Sequence, residues 1–154
     1  MGFDERIGHR FLKSGIGYGG SCFPKDTKAL NWFANFNDNE LRTIKAAIEV
    51  NENQKFKLVK KAKKYYNDFL FLNVAILGCT FKPGTDDLRE APSLVNIPIL
   101  MEDGAYIRVW DPVGQENFQK MLPRKDSVLF LHRGCHCRCR FMFNPYRVGR
   151  SERI

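Results

Sequence analysis

No apolar run in this 154-residue sequence approaches the roughly 18 residues that a membrane-spanning helix needs, so no membrane partner is implied. The first residues, Met1-Gly2-Phe3-Asp4-Glu5-Arg6, lack the charged-then-apolar pattern of a secretory signal, and a cytoplasmic location is the expectation. Cysteine is sparse and uneven: there are five, an odd number, with three of them crowded into positions 135–139, which excludes an ordinary disulfide framework. Missing too is the glycine fingerprint of a dinucleotide-binding domain, G-x-G-x-x-G at a strand–helix turn. Only Gly78 and Gly84 follow the strongest strand, so no such domain is visible in these residues. Acidic side chains are outnumbered 17 to 25, giving a net charge of +8, but residues 129–154 hold six Arg and one Glu, which is +5 and leaves +3 for the rest. A charge gathered into one tail argues against a nucleic-acid surface on the body of the chain.

What is present in abundance is glycine at one place. The stretch Gly15-Ile16-Gly17-Tyr18-Gly19-Gly20-Ser21-Cys22-Phe23-Pro24-Lys25 sets four glycines within six positions, directly ahead of a cysteine. Glycine at this density permits positive φ and lets a neighbour approach the peptide groups closely. A thiol three residues from a cation holds more of the reactive thiolate form. A flexible linker with an incidental cysteine is the plainer alternative, but linkers pair Gly with Ser rather than with interleaved Tyr, Phe and Ile.

Along the chain, residues 1–14 read as the end of a helix or an ordered approach to the glycine loop. Asp26 or Thr27 caps a short helix with apolar residues at 29, 30 and 33. That arrangement puts Cys22 and Lys25 just before a helix N-terminus, whose partial positive charge also favours a thiolate. After the polar break at 35–39, Asn37 and Glu40 resemble a capping box. Leu41, Ile44 and Ile48, then Leu58, Val59, Ala62, Tyr65 and Tyr66, form an apolar stripe of one or two helices over about 40–66. Lys55, Lys57, Lys60, Lys61, Lys63 and Lys64 are expected on the solvated faces. Asn73-Val74-Ala75-Ile76-Leu77-Gly78 reads as a strand buried on both sides. A polar loop follows, then a helix from Pro92–Ser93 to about Asp103 stopped by Gly104, and a strand at 107–110. This is a βαβ unit, so its strands should be parallel, with functional groups in the loop 79–89 at the first strand's carboxyl end. Pro98 is out of place inside that helix, where proline costs roughly 3 kcal/mol. The fold class is α/β: a helical segment over 1–66, an incomplete Rossmann-like unit over 73–126, and an atypical tail over 127–154.

Two long motifs, Gly17-Tyr18-Gly19-Gly20-Ser21-Cys22-Phe23-Pro24-Lys25-Asp26 and Phe81-Lys82-Pro83-Gly84-Thr85-Asp86-Asp87-Leu88-Arg89-Glu90-Ala91-Pro92-Ser93, together resemble the UDP-glucose 6-dehydrogenase family, within the broader UDP-glucose/GDP-mannose dehydrogenases. Phe23 after the cysteine fits the UDP-sugar members better than the GDP-mannose members, which tend to carry Leu there. The resemblance covers about residues 1–125, the end of a central helical dimerisation domain and the start of a C-terminal UDP-sugar-binding domain. It implies oxidation of a sugar C6 alcohol in two steps with NAD as cofactor, and pairing of two copies through the central helix. Carried across by motif, Cys22 is the nucleophile and Asp26 organises the water or hydroxyl at the reacting carbon. Lys13, Ser14, Gly15, Ile16, Gly17, Tyr18 and Gly19 lie along the substrate. Phe81 and Lys82 contact the nucleotide-sugar, Arg6 reaches the substrate of the neighbouring subunit, and Lys25 and Arg89 meet the cofactor. For Phe81 core packing and for Arg6 a plain surface charge stand as alternatives.

The resemblance finds no counterpart here of the NAD domain, nor of the family's central-helix lysine and asparagine and its acid–base glutamate. Catalytic groups act as a unit, so the 154 residues alone are expected to show no appreciable turnover. From about Asp126 the family pattern gives way to Cys135-His136-Cys137-Arg138-Cys139 and an Arg-rich, Lys-free run, the signature expected of a frameshifted or truncated gene remnant. The alternative is a non-catalytic remnant serving as an interaction, basic or metal-binding module. Cysteines alternating within five residues are tighter than the C-x₂₋₄-C of structural zinc, however, and no metal site is assigned.

Overall fold

A computed structural model describes residues 2–8, 12, 15–122, 128–131 and 141–143. Three helices come first: α1 (Cys22–Phe36), α2 (Arg42–Gln54) and α3 (Lys57–Ala62). They are followed by β1 (Asn73–Leu77), α4 (Ser93–Glu102), β2 (Tyr106–Trp110), α5 (Gln115–Met121), β3 (Val128–Phe130) and β4 (Phe141–Phe143). The α/β class and the parallel βαβ unit expected from the sequence are both present.

The four strands form one sheet in the order β3-β2-β1-β4, with every pairing parallel. Asn73 lies opposite Tyr106 and Leu77 opposite Trp110, so β1 and β2 match along their whole length. β3 and β4 both fall in the stretch expected to be atypical, and they extend the sheet on its two sides. Sequence order reverses between β1 and β4. In a doubly wound sheet, the carboxyl ends of the strands at such a switch point are where ligands bind. β1 ends there, and the chain leaves it into residues 78–91.

Val74, Ala75 and Ile76 are all buried, as a strand covered on both faces requires. Val74 and Ile76 pack with Ile107, Val109, Ile97, Leu100, Phe69 and Phe118 in one core, which also takes Val59 and Ala62 from α3. α4 ends in a Schellman turn. Gly104 stands at φ +85°, its N–H bonds Met101 O, and Ala105 N–H bonds Leu100 O, both at 3.0 Å. Pro98 sits inside α4 on an exposed face, where its missing N–H leaves Leu94 without that helical bond. Among the described residues no helix is long and apolar enough to cross a membrane.

Two local expectations are corrected. α1 begins at Cys22 rather than near Asp26, so Cys22 is its first residue and Lys25 and Asp26 lie within it. Asn37 does not open a capping box but closes α1. Its side chain donates to Phe33 O, Asp38 takes a left-handed φ of +52°, and Asn39 N–H reaches back to Ala34 O at 2.9 Å. Glu40 instead pairs with Arg42 and Lys45.

Phe118, fully buried on α5 and edge-on to Phe130, should cost about 3–5 kcal/mol of urea-unfolding stability when changed to Ala. Phe36→Ala, at a side chain 73% exposed, should stay within roughly 0.5 kcal/mol. Equal losses would contradict this placement of the core.

Candidate functional site

The glycine loop is held from two sides. On α2, Asn51 is buried and faces Tyr18. It accepts the Tyr18 N–H on Oδ1 at 2.7 Å and donates Nδ2 to the Tyr18 carbonyl at 3.2 Å. A buried amide left without partners costs about 1–3 kcal/mol, so this reciprocal pair both satisfies Asn51 and fixes the loop. One turn along, Gln54 Nε2 donates to Gly15 O at 3.2 Å. Gly17, at φ +112°, passes so near α2 that a Cβ there would stand 2.9 Å from Asn51 Oδ1.

The second side is the turn after β1. Gly20 N–H donates to Arg89 O at 2.8 Å. A Cβ on Gly19 would lie 2.7 Å from Glu90 O, and one on Gly20 would lie 2.8 Å from the tip of the Phe81 ring. The space beside these two glycines is thus taken by protein, and the close approach they permit is the approach of this turn. Phe81 packs on Gly20 with its ring half-buried, and Lys82 Nζ stands 5.0 Å from the ring centroid as a cation–π neighbour.

Beneath the seam lies a charge cluster. Lys55, expected on a solvated face, is buried. Its ammonium donates to Glu90 at 2.8 Å and Glu52 at 3.0 Å. Burial works against its charge, but the bonds to Glu90 and then Glu52 outweigh that and raise its pKa. The Lys55 bond correspondingly lowers the pKa of Glu90. Lys28 of α1 approaches the same two carboxylates at 3.5 and 3.6 Å, so two cations and two anions join α1, α2 and the turn. Glu90 holds a left-handed φ of +54°, uncommon for a residue with a side chain. α4 adds Asn96, fully buried, whose Nδ2 donates to the Lys55 carbonyl at 2.9 Å.

Among the described cysteines two are candidates for chemistry, and their surroundings separate them. Cys79 is fully buried at the end of β1. Burial, and next the Asp111 carboxylate, push its thiol well above the ordinary range, so it stays protonated and inert. Cys22 is exposed at the first residue of α1, with Ser21 Oγ 3.8 Å from its sulfur. Asp111 serves the backbone instead, accepting Cys79 N–H at 2.6 Å and the Val113 and Gly114 N–H groups at 2.9 and 2.7 Å.

The remaining expected residues divide clearly. Lys25 and Asp26 are exposed on α1 and pair with each other at 3.3 Å. Arg89 is exposed and bound bidentately by Asp87, at 2.9 and 2.7 Å. Ile16 packs against the core. Arg6 is not brought to the others: it is almost fully exposed and bound to its neighbour Asp4. Lys13, Ser14 and the run at 135–139 lie outside the described residues. Sequence reasoning missed Asn51, Gln54, Lys55, Glu90 and Asp111. Asn51 and Gln54 carried a readable signal, since i and i+3 share one helix face.

The same two segments that meet at this seam are matched in known proteins. Residues 1–53 match the model of the UDP-glucose/GDP-mannose dehydrogenase family central domain, and residues 75–137 that of the family's UDP binding domain. The UDP-glucose 6-dehydrogenase YwqF of Bacillus subtilis is 47% identical over 124 residues, covering 80% of this chain and 28% of that protein. A UDP-glucose 6-dehydrogenase of Rickettsia conorii is 42% identical over 132 residues, covering 85% and 30% respectively. Among solved structures, a UDP-glucose dehydrogenase from the archaeon Pyrobaculum islandicum superposes with a TM-score of 0.76 at 37% identity, covering 85% of this chain and 30% of that one. A ternary complex of GDP-mannose dehydrogenase from Pseudomonas aeruginosa gives 0.63 at 31% identity, covering 73% and 25%. The chain spans less than a third of the length of these relatives.

Gly20 and Gly84 have similar backbones, φ +81° and +74°, but only Gly20 has a neighbour in the way of a side chain. Each Gly→Ala change should cost strain of order 1–3 kcal/mol, and Gly20→Ala should cost more because of Phe81. Urea unfolding of the Gly20→Ala, Phe81→Ala double-mutant cycle should show coupling of roughly 0.5–3 kcal/mol. An additive cycle would contradict the contact.

Proposed function

Because the chain belongs to the UDP-glucose/GDP-mannose dehydrogenase family, we propose that it is the nucleophile-bearing and nucleotide-sugar-binding portion of an NAD-dependent UDP-glucose 6-dehydrogenase. The observation that supports this reading most directly is the contrast between two neighbours in the chain. Gly19 and Gly20 are locked onto the turn after β1, while Cys22 stands exposed at the start of α1. A rigid loop delivering a free thiol beside a nucleotide-binding turn suits chemistry at a carbon attached to that nucleotide.

In this reading Phe81 and Lys82 take the nucleotide, the loop from Lys13 to Gly19 lies along the sugar, and Cys22 faces C6. The cofactor, when bound, supplies a hydride acceptor for both oxidations. The residues here fit only its edge: Lys25 and Arg89 are exposed cations suited to phosphate, and the 154 residues carry no dinucleotide-binding glycine turn. At the aldehyde stage the Cys22 thiolate attacks C6. A C–S bond forms, the carbonyl oxygen takes a proton, and a thiohemiacetal results. With the cofactor as hydride acceptor and the hydroxyl proton released to solvent, the thiohemiacetal would become a thioester at Cys22. Asp26 orients a water to attack it, the C–S bond breaks, and the carboxylate product leaves with Cys22 restored as thiolate. Holding the aldehyde covalently prevents its escape between the two steps. The work is that of a cytoplasmic protein whose copies pair through the central helix, with Arg6, exposed and held by Asp4, reaching a neighbouring subunit's substrate.

The test needs no oxidant. A UDP-hexodialdose labelled with ¹³C at C6 should shift its hydrate resonance to a thiohemiacetal resonance on mixing with the chain, and Cys22→Ala should abolish the shift. The same preparation should form no NADH from UDP-glucose and NAD, since the acid–base partners do not lie in these residues. An unchanged C6 resonance with the native sequence would overturn the assignment of Cys22.

A further inference from the structure

We propose that Lys55 and Glu90 are positioning residues that hold the sugar-facing loop in register with the nucleotide-facing turn, so that one ligand spans both. The inference rests on the reading of Cys22 and Phe81–Lys82 given above and adds residues to which that reading assigns no part.

The connections run outward from the buried ammonium. Lys55 is 4% exposed, yet it donates to carboxylates on two different elements, Glu52 in the last turn of α2 and Glu90 on the turn after β1. A buried lysine is tolerated only when its charge is answered, so the turn is drawn onto α2 wherever Lys55 stays charged. Its backbone is fixed independently, because Asn96 Nδ2 donates to the Lys55 carbonyl and to Pro92 O. Glu90 in turn determines the seam. Its left-handed backbone aims its own carbonyl at Gly19, and the carbonyl just before it, on Arg89, accepts the Gly20 N–H. Lys55 also directly follows the helix whose Asn51 and Gln54 hold Tyr18 and Gly15. A single side chain therefore ties the helix that grips the loop to the turn on which the loop rests. Lys28 reaches both acids from α1, so the helix that begins with Cys22 is tied to the same cluster.

If this cluster only added stability, breaking it would weaken all ligand contacts together. If it sets register, nucleotide binding and coverage of Cys22 become separable, because Phe81 and Lys82 belong to the turn itself while Cys22 belongs to the loop.

The experiment uses the 154-residue chain and measures the Kd of UDP and of UDP-glucose by calorimetry. It then follows alkylation of Cys22 by iodoacetamide, read by mass spectrometry of the Cys22 peptide, with UDP-glucose at roughly ten times each protein's own Kd. In the native sequence UDP-glucose should slow alkylation about tenfold, the occupancy expected at that excess. Lys55→Met and Glu90→Gln should leave the Kd for UDP unchanged while the slowing by UDP-glucose disappears, and Lys55→Arg, which keeps the charge, should restore it. Glu90→Gln leaves Lys55 paired with Glu52, so it provides the result even if Lys55→Met does not fold. Full slowing retained in Glu90→Gln overturns the proposal, as does a parallel loss of UDP affinity and slowing, which would mean a structural role only. Failure of the native chain to bind UDP overturns the functional reading and this inference with it, a result distinct from either of those.

Discussion

A seam one atom wide, where Gly19 and Gly20 lie against Phe81 and Glu90, decides how everything else in this chain must be arranged. A Cβ at either position would stand within 2.8 Å of the opposing turn, and at Gly19 the obstacle is the Glu90 backbone, which cannot turn aside as a side chain can. The helical segment and the parallel sheet are therefore not two units joined by a tether. They meet where the backbone of one rests on the turn of the other. The Gly20–Arg89 hydrogen bond, the Asn51 bracket around Tyr18 and the Lys55–Glu90 ion pair all act to keep that meeting in register.

The sheet supplies the other half of the geometry. Its strand order reverses beside β1, and the carboxyl end of β1 is where the turn carrying Phe81 begins. Asp111, at the end of β2, holds that point by taking the Cys79 N–H, and it starts α5 with two further bonds. Ser93 donates to the Cys79 carbonyl from the first residue of α4. Both backbone polar groups of Cys79 are thus answered by side chains of neighbouring elements. Its thiol, buried and protonated, takes no part in chemistry. Of the two described cysteines, Cys22 is the exposed one.

Much of this was legible in the residues. β1 announced itself because a short apolar run with β-branched residues, closed by a glycine, suits a strand buried on both faces better than a helix, and Gly104 marked the end of α4 because a Schellman turn needs a left-handed residue. The two motifs carried the family and so the candidate site. The misreadings have a common cause, which is that polar side chains have more uses than apolar ones. Asn37 and Glu40 have the spacing of a helix start, but Asn37 is the end of the preceding helix, where Asp38 supplies the left-handed turn without glycine. Lys55 sits in a run of lysines that are otherwise exposed, and nothing local distinguishes it; its burial is decided by Glu90, 35 residues away. The glycines suggested room for a ligand, whereas at Gly19 and Gly20 the room is filled by the partner turn. Only the tertiary structure could name that occupant.

The central claim is that the glycine loop and the turn after β1 form one cradle for a nucleotide-sugar. Titration of the ¹⁵N-labelled chain with UDP-glucose, followed by amide chemical shifts, tests it most directly. The account predicts that Gly17, Gly19 and Gly20 move together with Phe81 and Lys82 along a single binding curve with one Kd. Shifts confined to one of the two segments, or movement only at the lysines of α3, would contradict it.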